Sequence, residues 1–271
     1  MRKVVILIVA VVSLCLGSTE DKINKLSNEI GDIQRFAQVY YQRANLYTEV
    51  GSFAKAIEDF KKVQVFNADY KDVKYKMAKT YVNAGEAQLA LDLSSELLSH
   101  VKDIKEKRRL LLVKADAYIL QENYDEGIKL YEAQKKSKNG LNALETTKLA
   151  GAYYENAQSR KSLNVLKEAL RKDKNNYLLS KKMVEVCIEE GSYSLAHTMI
   201  ERMLEQKKNR AEIYYLQAQI FEAEDKVSLA FKSSKLAMQY LNKTGKNALK
   251  TRVANLELKL SQNAKNALAL N

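Results

Sequence analysis

Two stretches, Gly51–Val63 "GSFAKAIEDFKKV" and Gly191–Met203 "GSYSLAHTMIERM", follow one plan although 140 residues separate them. Each opens Gly-Ser-aromatic, has Ala five residues after the Gly, and continues with apolar residues three and four apart, the spacing of one helix face. Gly can take the left-handed conformation that ends a helix, and Ser is suited to cap the next one. Each stretch reads as the tight turn and second helix of a helical hairpin.

Carried along the chain, the Gly position is filled by Gly51, Gly85, Glu122, Ala157, Gly191 and Asp225, at steps of 34, 37, 35, 34 and 34 residues. Seven residues earlier stand Ala44, Ala78, Ala115, Ala150, Val184 and Ala218; four earlier stand Tyr47, Tyr81, Tyr118, Tyr153, Cys187 and Phe221. Five later come Ala56, Ala90, Gly127, Ser162, Ala196 and Ala230. Small residues let two helices approach closely, and the aromatic column fills the wedge between neighbouring pairs. Further along, Phe60 with Val63, Tyr131 with Gln134, Leu166 with Ala169 and Ile200 with Met203 extend a mostly apolar stripe. Ser52, Asn123 and Ser192 are expected to cap the second helices, and Asn123 with Glu126 has capping-box spacing.

A period near 34 residues is the mark of a helical solenoid. Composition agrees: the 271 residues include no Pro, no Trp and only nine Gly, so helix breakers are nearly absent and an all-α chain is expected. The register resembles that of tetratricopeptide repeat proteins, with repeats at 37–70, 71–104, 108–141, 143–176, 177–210 and 211–244. The family's terminal Pro is absent throughout, and its large aromatic in the first helix survives as Tyr40 and Tyr214. The resemblance implies an all-α, right-handed superhelical solenoid of antiparallel helix pairs.

The ends have other jobs. Residues 1–17 hold two basic residues, an apolar run from Val4 to Leu16 and the small Gly17, the layout of a signal peptide cut before Ser18. The 13 residues of this run, Ser13 among them, rise about 20 Å, short of the roughly 30 Å needed to span hydrocarbon. Cys15 follows the bulky Leu14, so lipidation there, with the membrane contact it would bring, is the minor alternative. The expected location is outside the cytoplasm, in a bacterial periplasm or envelope, or extracellular or in the ER lumen if the source is eukaryotic. Residues 18–36 are expected to form an N-terminal helix. Ile23, Leu26, Ile30, Ile33, Ala37 and Tyr40 mark a seam that packs on the first repeat or, alternatively, self-associates through residues 20–40. Residues 245–271 supply a capping helix through Leu249, Val253, Leu256 and Leu260, then a frayed tail from Ala264.

Reactive chemistry is thin. Ser52-Phe-Ala-Lys55, Ser162-Leu-Asn164 and Lys243-Thr-Gly245 match in order the short motifs of serine β-lactamases and penicillin-binding proteins, but the register makes Ser52 a cap and Ser162 a packing residue. Serine acyl transfer is therefore a remote alternative. His100 and His197 lie far apart, and removal of the leader leaves Cys187 as the lone thiol, so no metal site and no cofactor are expected.

Family resemblance places peptide binding on the concave face lined by first helices. Residues there that point away from the packing columns are Tyr41, Asn45, Tyr75, Lys76, Lys79, Asn83, Arg109, Leu112, Ile119, Lys148, Tyr154, Lys181, Lys182 and Tyr215; acids are fewer, chiefly Glu49, Asp116, Glu155, Glu185 and Glu189. The mixture suits a protein or peptide with acidic and apolar side chains, with no small-molecule substrate. The family's carboxylate clamp matches in type at two of five places: Asn45 fits, Tyr41 and Lys76 depart, and Arg109 and Val113 fill the last two. Without the leader, 43 basic residues face 33 acidic ones, a net charge of +10, which makes a basic nucleic-acid-binding repeat the alternative. The export leader and the scattered cations weigh against it.

Overall fold

The computed structural model describes residues 19–26, 36–70, 72–244 and 247–269, with backbone alone for 242–244, 247 and 263–269. All regular structure among these residues is helical. Residues 19–26 form a short helix, followed by six helix pairs. These are α1 (Phe36–Glu49) with α2 (Phe53–Phe66), α3 (Val73–Asn83) with α4 (Ala87–His100), and α5 (Ile104–Leu120) with α6 (Tyr124–Lys135). Then come α7 (Ala143–Glu155) with α8 (Ser159–Lys172), α9 (Tyr177–Glu189) with α10 (Tyr193–Glu205), and α11 (Arg210–Ala223) with α12 (Val227–Thr244), before a final helix α13 (Asn247–Ala269). The leader, the seam residues Ile30 and Ile33, and the side chains of Lys243-Thr-Gly245 lie outside the described residues. Helix α13 runs through Ala269, into the stretch expected to fray.

The chain divides into two compact units, Met1–Lys136 and Ser137–Asn271, each with three pairs. An uninterrupted period does not reveal this division.

All six residues at the Gly position are left-handed, with φ between 53° and 84°, including Glu122, Ala157 and Asp225. Every turn carries the same two hydrogen bonds. The residue at the Gly position donates to the carbonyl three back, and the next residue donates to the carbonyl five back, at 2.8–2.9 Å. The acceptors of the second bond are Tyr47, Tyr81, Tyr118, Tyr153, Cys187 and Phe221, the whole aromatic column. This is a Schellman close.

That close corrects the capping expectation. Ser52, Asn123 and Ser192 make no side-chain cap hydrogen bond. Their backbone N–H already serves the preceding helix, so Glu126 cannot complete a box on Asn123. Side-chain caps occur instead on first helices, where no such turn precedes: Asp103 on α5, Asn176 on α9, and a full box of Asn142 with Glu145 on α7.

The two small columns are buried at every position. At Gly127 an added Cβ would stand 2.7 Å from Ile119 Cγ1, so α5 and α6 approach closer there than Ala allows. Ser162 is tolerated because its hydroxyl donates to the Ala150 carbonyl at 2.7 Å. In the first unit Ala44, Phe60, Val63, Met77 and Ala90 form the core; in the second, Leu166, Val184, Ile200, Ile213 and Ile220 do. A fully buried Ile such as Ile200 contributes about 1.5–3 kcal/mol. The open end of the second unit is closed by Val253, Leu256 and Leu260 of α13, which cluster with Ala218, Ala230 and Leu241.

Candidate partner-binding faces

In the second unit, the first helices α7, α9 and α11 share a face with two adjoining hollows. The larger, about 450 Å³, is lined by Tyr154, Glu155, Lys182, Glu185, Val186, Glu189, Gln219 and Arg252. The smaller, about 250 Å³, is lined by Thr147, Lys148, Leu178, Lys181, Lys182 and Glu185. Lys148, Tyr154, Lys181 and Lys182 are thus brought together as expected of groove residues. Sequence reasoning missed Leu178, Val186, Gln219 and Arg252. Arg252 comes from α13, which the repeat register does not reach.

Charge on this face is more balanced than the sequence suggests. Lys181 pairs with Glu212 at 2.5 Å and Lys182 with Glu185 at 3.5 Å, while Glu155, Glu185 and Glu189 line the larger hollow. Burial pushes the Tyr154 phenol above its ordinary range, and the charges of Glu189, Glu190 and Glu155 add to this, so it stays a neutral hydrogen-bonding group.

Two expected contact residues are not available. Tyr215 is 7% exposed, with the Arg252 guanidinium 4.8 Å over its ring, because α13 packs where a further repeat would stand. Leu112 is 9% exposed, inside the packing of the first unit. Ile119 turns toward α6, where it limits the space at Gly127.

In the first unit Tyr41 and Asn45 border a hollow of about 530 Å³ with Lys22, Lys25, Leu26, Gln42 and Leu46. Tyr41 is tied into the unit by an edge contact with Phe60 and a tilted one with Tyr70. Burial, then the charge of Asp72, raises its phenol above the ordinary range. Arg109 lies 3.8 Å over the Tyr75 ring and donates to Asp72 at 3.0 Å. Lys79 and Asn83 are exposed and Lys76 is half-buried.

Residues 149–220 match the tetratricopeptide repeat family. Among solved structures, a tetratricopeptide repeat protein from Parabacteroides merdae aligns with a TM-score of 0.50 at 17% identity, over 93% of this chain and 81% of its own. Pseudomonas aeruginosa PilF aligns with a TM-score of 0.55 at 13% identity, over 81% of this chain and 96% of its own. A chain of the APC/C hetero-tetramer Cut9–Hcn1 gives 0.57 at 14% identity, over 89% of this chain and 48% of its own. No curated protein matches the sequence. The chain has the tetratricopeptide-like helix-pair fold, with the family match itself confined to residues 149–220.

The carboxylate clamp known from tetratricopeptide arrays is not assembled. Asn45 Nδ2 donates to the Tyr41 carbonyl at 2.7 Å, Arg109 is committed to Asp72 and Tyr75, and Val113 is buried. Nor can Ser162 act as a nucleophile, since its hydroxyl is fully buried and bonded to Ala150. Burial pushes the Cys187 thiol up to about 11, against an opposing effect of Lys167, leaving it a neutral packing group at neutral pH. Among the described residues, no cluster of three His, Cys, Asp or Glu could hold a metal ion, and no helix is long and apolar enough to cross a membrane.

Proposed function

We propose that this repeat array is a non-enzymatic scaffold that holds a segment of a protein partner on the first-helix face of the second unit. One observation carries the reading: Lys148, Tyr154, Lys181 and Lys182, selected by register alone, border two hollows that share Lys182 and Glu185. The Lys148 and Lys181 end suits an acidic side chain, Leu178 and Val186 offer apolar contact, and the Glu155 and Glu189 end suits a cation or hydrogen-bond donor. Such a preorganised surface gains affinity by lowering the cost of ordering on binding, and its charges orient the encounter. The relative crystallised as the Cut9–Hcn1 hetero-tetramer is itself part of a protein assembly. The leader layout of residues 1–17 supports export to a periplasm or cell envelope.

Crosslinking followed by mass spectrometry of the native protein tests both parts. A partner peptide joined to Lys148 or Lys182, and lost in Tyr154→Ala, is expected. Partner crosslinks confined to other faces would overturn the proposed surface. A mature chain beginning at Ser18 is the outcome export requires, and one retaining Met1 removes it.

A further inference from the structure

Elsewhere on the second unit, α8 and α10 with Met183 of α9 border a different kind of hollow that shares no residue with the first two. About 390 Å³ in volume, it is floored by Leu170, Met183, Leu195 and Met199 and rimmed by Lys167, Arg171, Lys174 and Arg202. No carboxylate lines it, although Glu168, Asp173, Glu201 and Glu205 are close in sequence. Among the described residues, no ion pair or hydrogen bond engages the four rim side chains, whereas Lys181, Lys182, Lys226 and Lys259 of the same unit each hold a carboxylate.

Four cations that hold no carboxylate among the described residues thus rim an apolar floor. A ligand with anionic groups flanking an apolar ridge would relieve both features. Lys167 and Arg171 stand one turn apart on α8, about 6 Å along its axis, and Lys174 follows in the turn just beyond its last residue, so a carboxylate pair at i and i+4 of a partner helix would match the two helical cations. The floor is recessed, with Leu170, Met183 and Met199 no more than 6% exposed, so an occupant must reach inward with side chains. A bilayer surface requires protruding apolar groups, and nucleic-acid phosphates would leave the floor unused. Methionine at two floor positions adapts to side chains of differing shape.

We propose that the α8–α10 hollow is a second docking surface, which takes an amphipathic acidic helix of a protein partner. Its apolar ridge lies on Leu170, Met183, Leu195 and Met199, and its carboxylates meet Lys167, Arg171, Lys174 and Arg202. This surface is separate from the first-helix face of the same unit, so a partner on one leaves the other open.

The test uses the full chain and a fluorescent peptide of about 18 residues that forms an amphipathic helix, with Leu along one face and Glu pairs at i and i+4 beside it. Fluorescence anisotropy at low salt should show saturable binding. Lys167→Glu/Arg171→Glu and Leu195→Asp should each weaken it about tenfold or more, with circular dichroism unchanged. Lys61→Glu/Lys105→Glu in the first unit, an equal change of charge, should leave affinity within about twofold. A scrambled peptide of identical composition should bind about tenfold more weakly. Equal binding of the scrambled peptide, insensitivity to the α8 double variant, or absence of peptide binding overturns the proposal. So does retention on vesicles of anionic lipid, or on duplex DNA, that exceeds retention of the peptide and depends on the same residues.

Discussion

The first pairs of the two units answer one packing problem with opposite chemistry. Eight residues either side of the turn, the α1–α2 pair places Arg43 and Asp59, joined by two hydrogen bonds of 2.6 and 2.7 Å. Arg43 also lies 5.4 Å over the Tyr40 ring and 5.6 Å over that of Tyr47. The α7–α8 pair has Leu149 and Val165 at the same places, both buried. The last pair, α11–α12, has Gln217 accepting from Ser233 at 3.0 Å. A backbone turn repeated six times thus tolerates an ion pair, an aliphatic pair or a neutral hydrogen bond across one position, provided the partners are chosen together.

The largest expected effect comes from breaking that matching. Asp59 is 2% exposed and the Arg43 side chain 14%, so Asp59→Val alone strands a largely buried guanidinium and should cost about 3 kcal/mol. The double variant Arg43→Leu/Asp59→Val, which grafts the α7–α8 solution onto α1–α2, should recover most of the loss. Hydrogen exchange should report the damage in peptides of the first unit. If single and double variants lose equally, the two places are not interchangeable solutions.

Next come the two exceptions in the small column, one in each unit. Gly127→Ala pushes a methyl against Ile119 Cγ1 and to 3.1 Å from the Ala115 carbonyl. Overpacking of this kind costs about 1–3 kcal/mol, and the better helix propensity of Ala returns up to about 1. Thermal melting should show a net loss of about 1–2 kcal/mol. Ser162→Ala instead restores the residue most repeats use and loses one hydrogen bond, a cost of about 1 kcal/mol or less. A Gly127→Ala variant as stable as the parent would mean that α5 and α6 are no closer than other pairs.

These contrasts explain what the sequence could and could not reveal. The small columns and the turn position were legible because close approach and the Schellman close leave few residue choices, and the recurrence survives substitutions at single sites. Only register marks Glu122 and Ala157 as turning like Gly, since each by itself argues against a left-handed backbone, whereas Asp225 is of a type that tolerates it. Capping by Ser52 and Asn123 was misread because local propensity cannot show that the N–H is already engaged. At the candidate faces, Lys148, Tyr154, Lys181 and Lys182 were found by position, whereas the burial of Tyr215 depends on α13, which no repeat column describes. The cations of α8 and α10 that hold no carboxylate among the described residues stayed hidden because pairing is set by neighbours distant in sequence.

Turns give the next prediction, smaller than the packing changes. Ala157→Gly and Asp225→Gly should each stabilise the second unit by up to about 1 kcal/mol, since an L side chain at φ of 53–58° carries a strain that Gly lacks, partly offset by the greater freedom of Gly when unfolded. Gly191→Ala, at φ 67°, should move the other way by about 1 kcal/mol. Nothing lies within 4 Å of a Cβ built there, so any loss reports backbone conformation alone. Equal melting temperatures across these variants would remove left-handed strain as a factor and leave the Gly recurrence without a physical reason.

The smallest effect distinguishes the units by pH. In the second unit, a hydrogen bond from His197 at 2.9 Å, aided by Lys226, holds the Glu224 carboxyl below its ordinary range. A carboxyl whose folded value is depressed adds stability above the ordinary carboxylate range and loses it as pH falls through the folded value. Glu224→Gln should therefore be less stable than the parent at pH 6, by about 0.5 kcal/mol or less because the pair is near the surface, and the difference should vanish in acid below the folded value. In the first unit Glu58 is likewise lowered by Lys62, but it stands fully in solvent at the helix surface, so Glu58→Gln should leave the acid limb of the stability curve unchanged. An acid limb altered by Glu58→Gln and untouched by Glu224→Gln would reverse this ordering, and would mean that the contact from α10 to the turn after α11 is weaker in solution than an exposed pair one turn apart on α2.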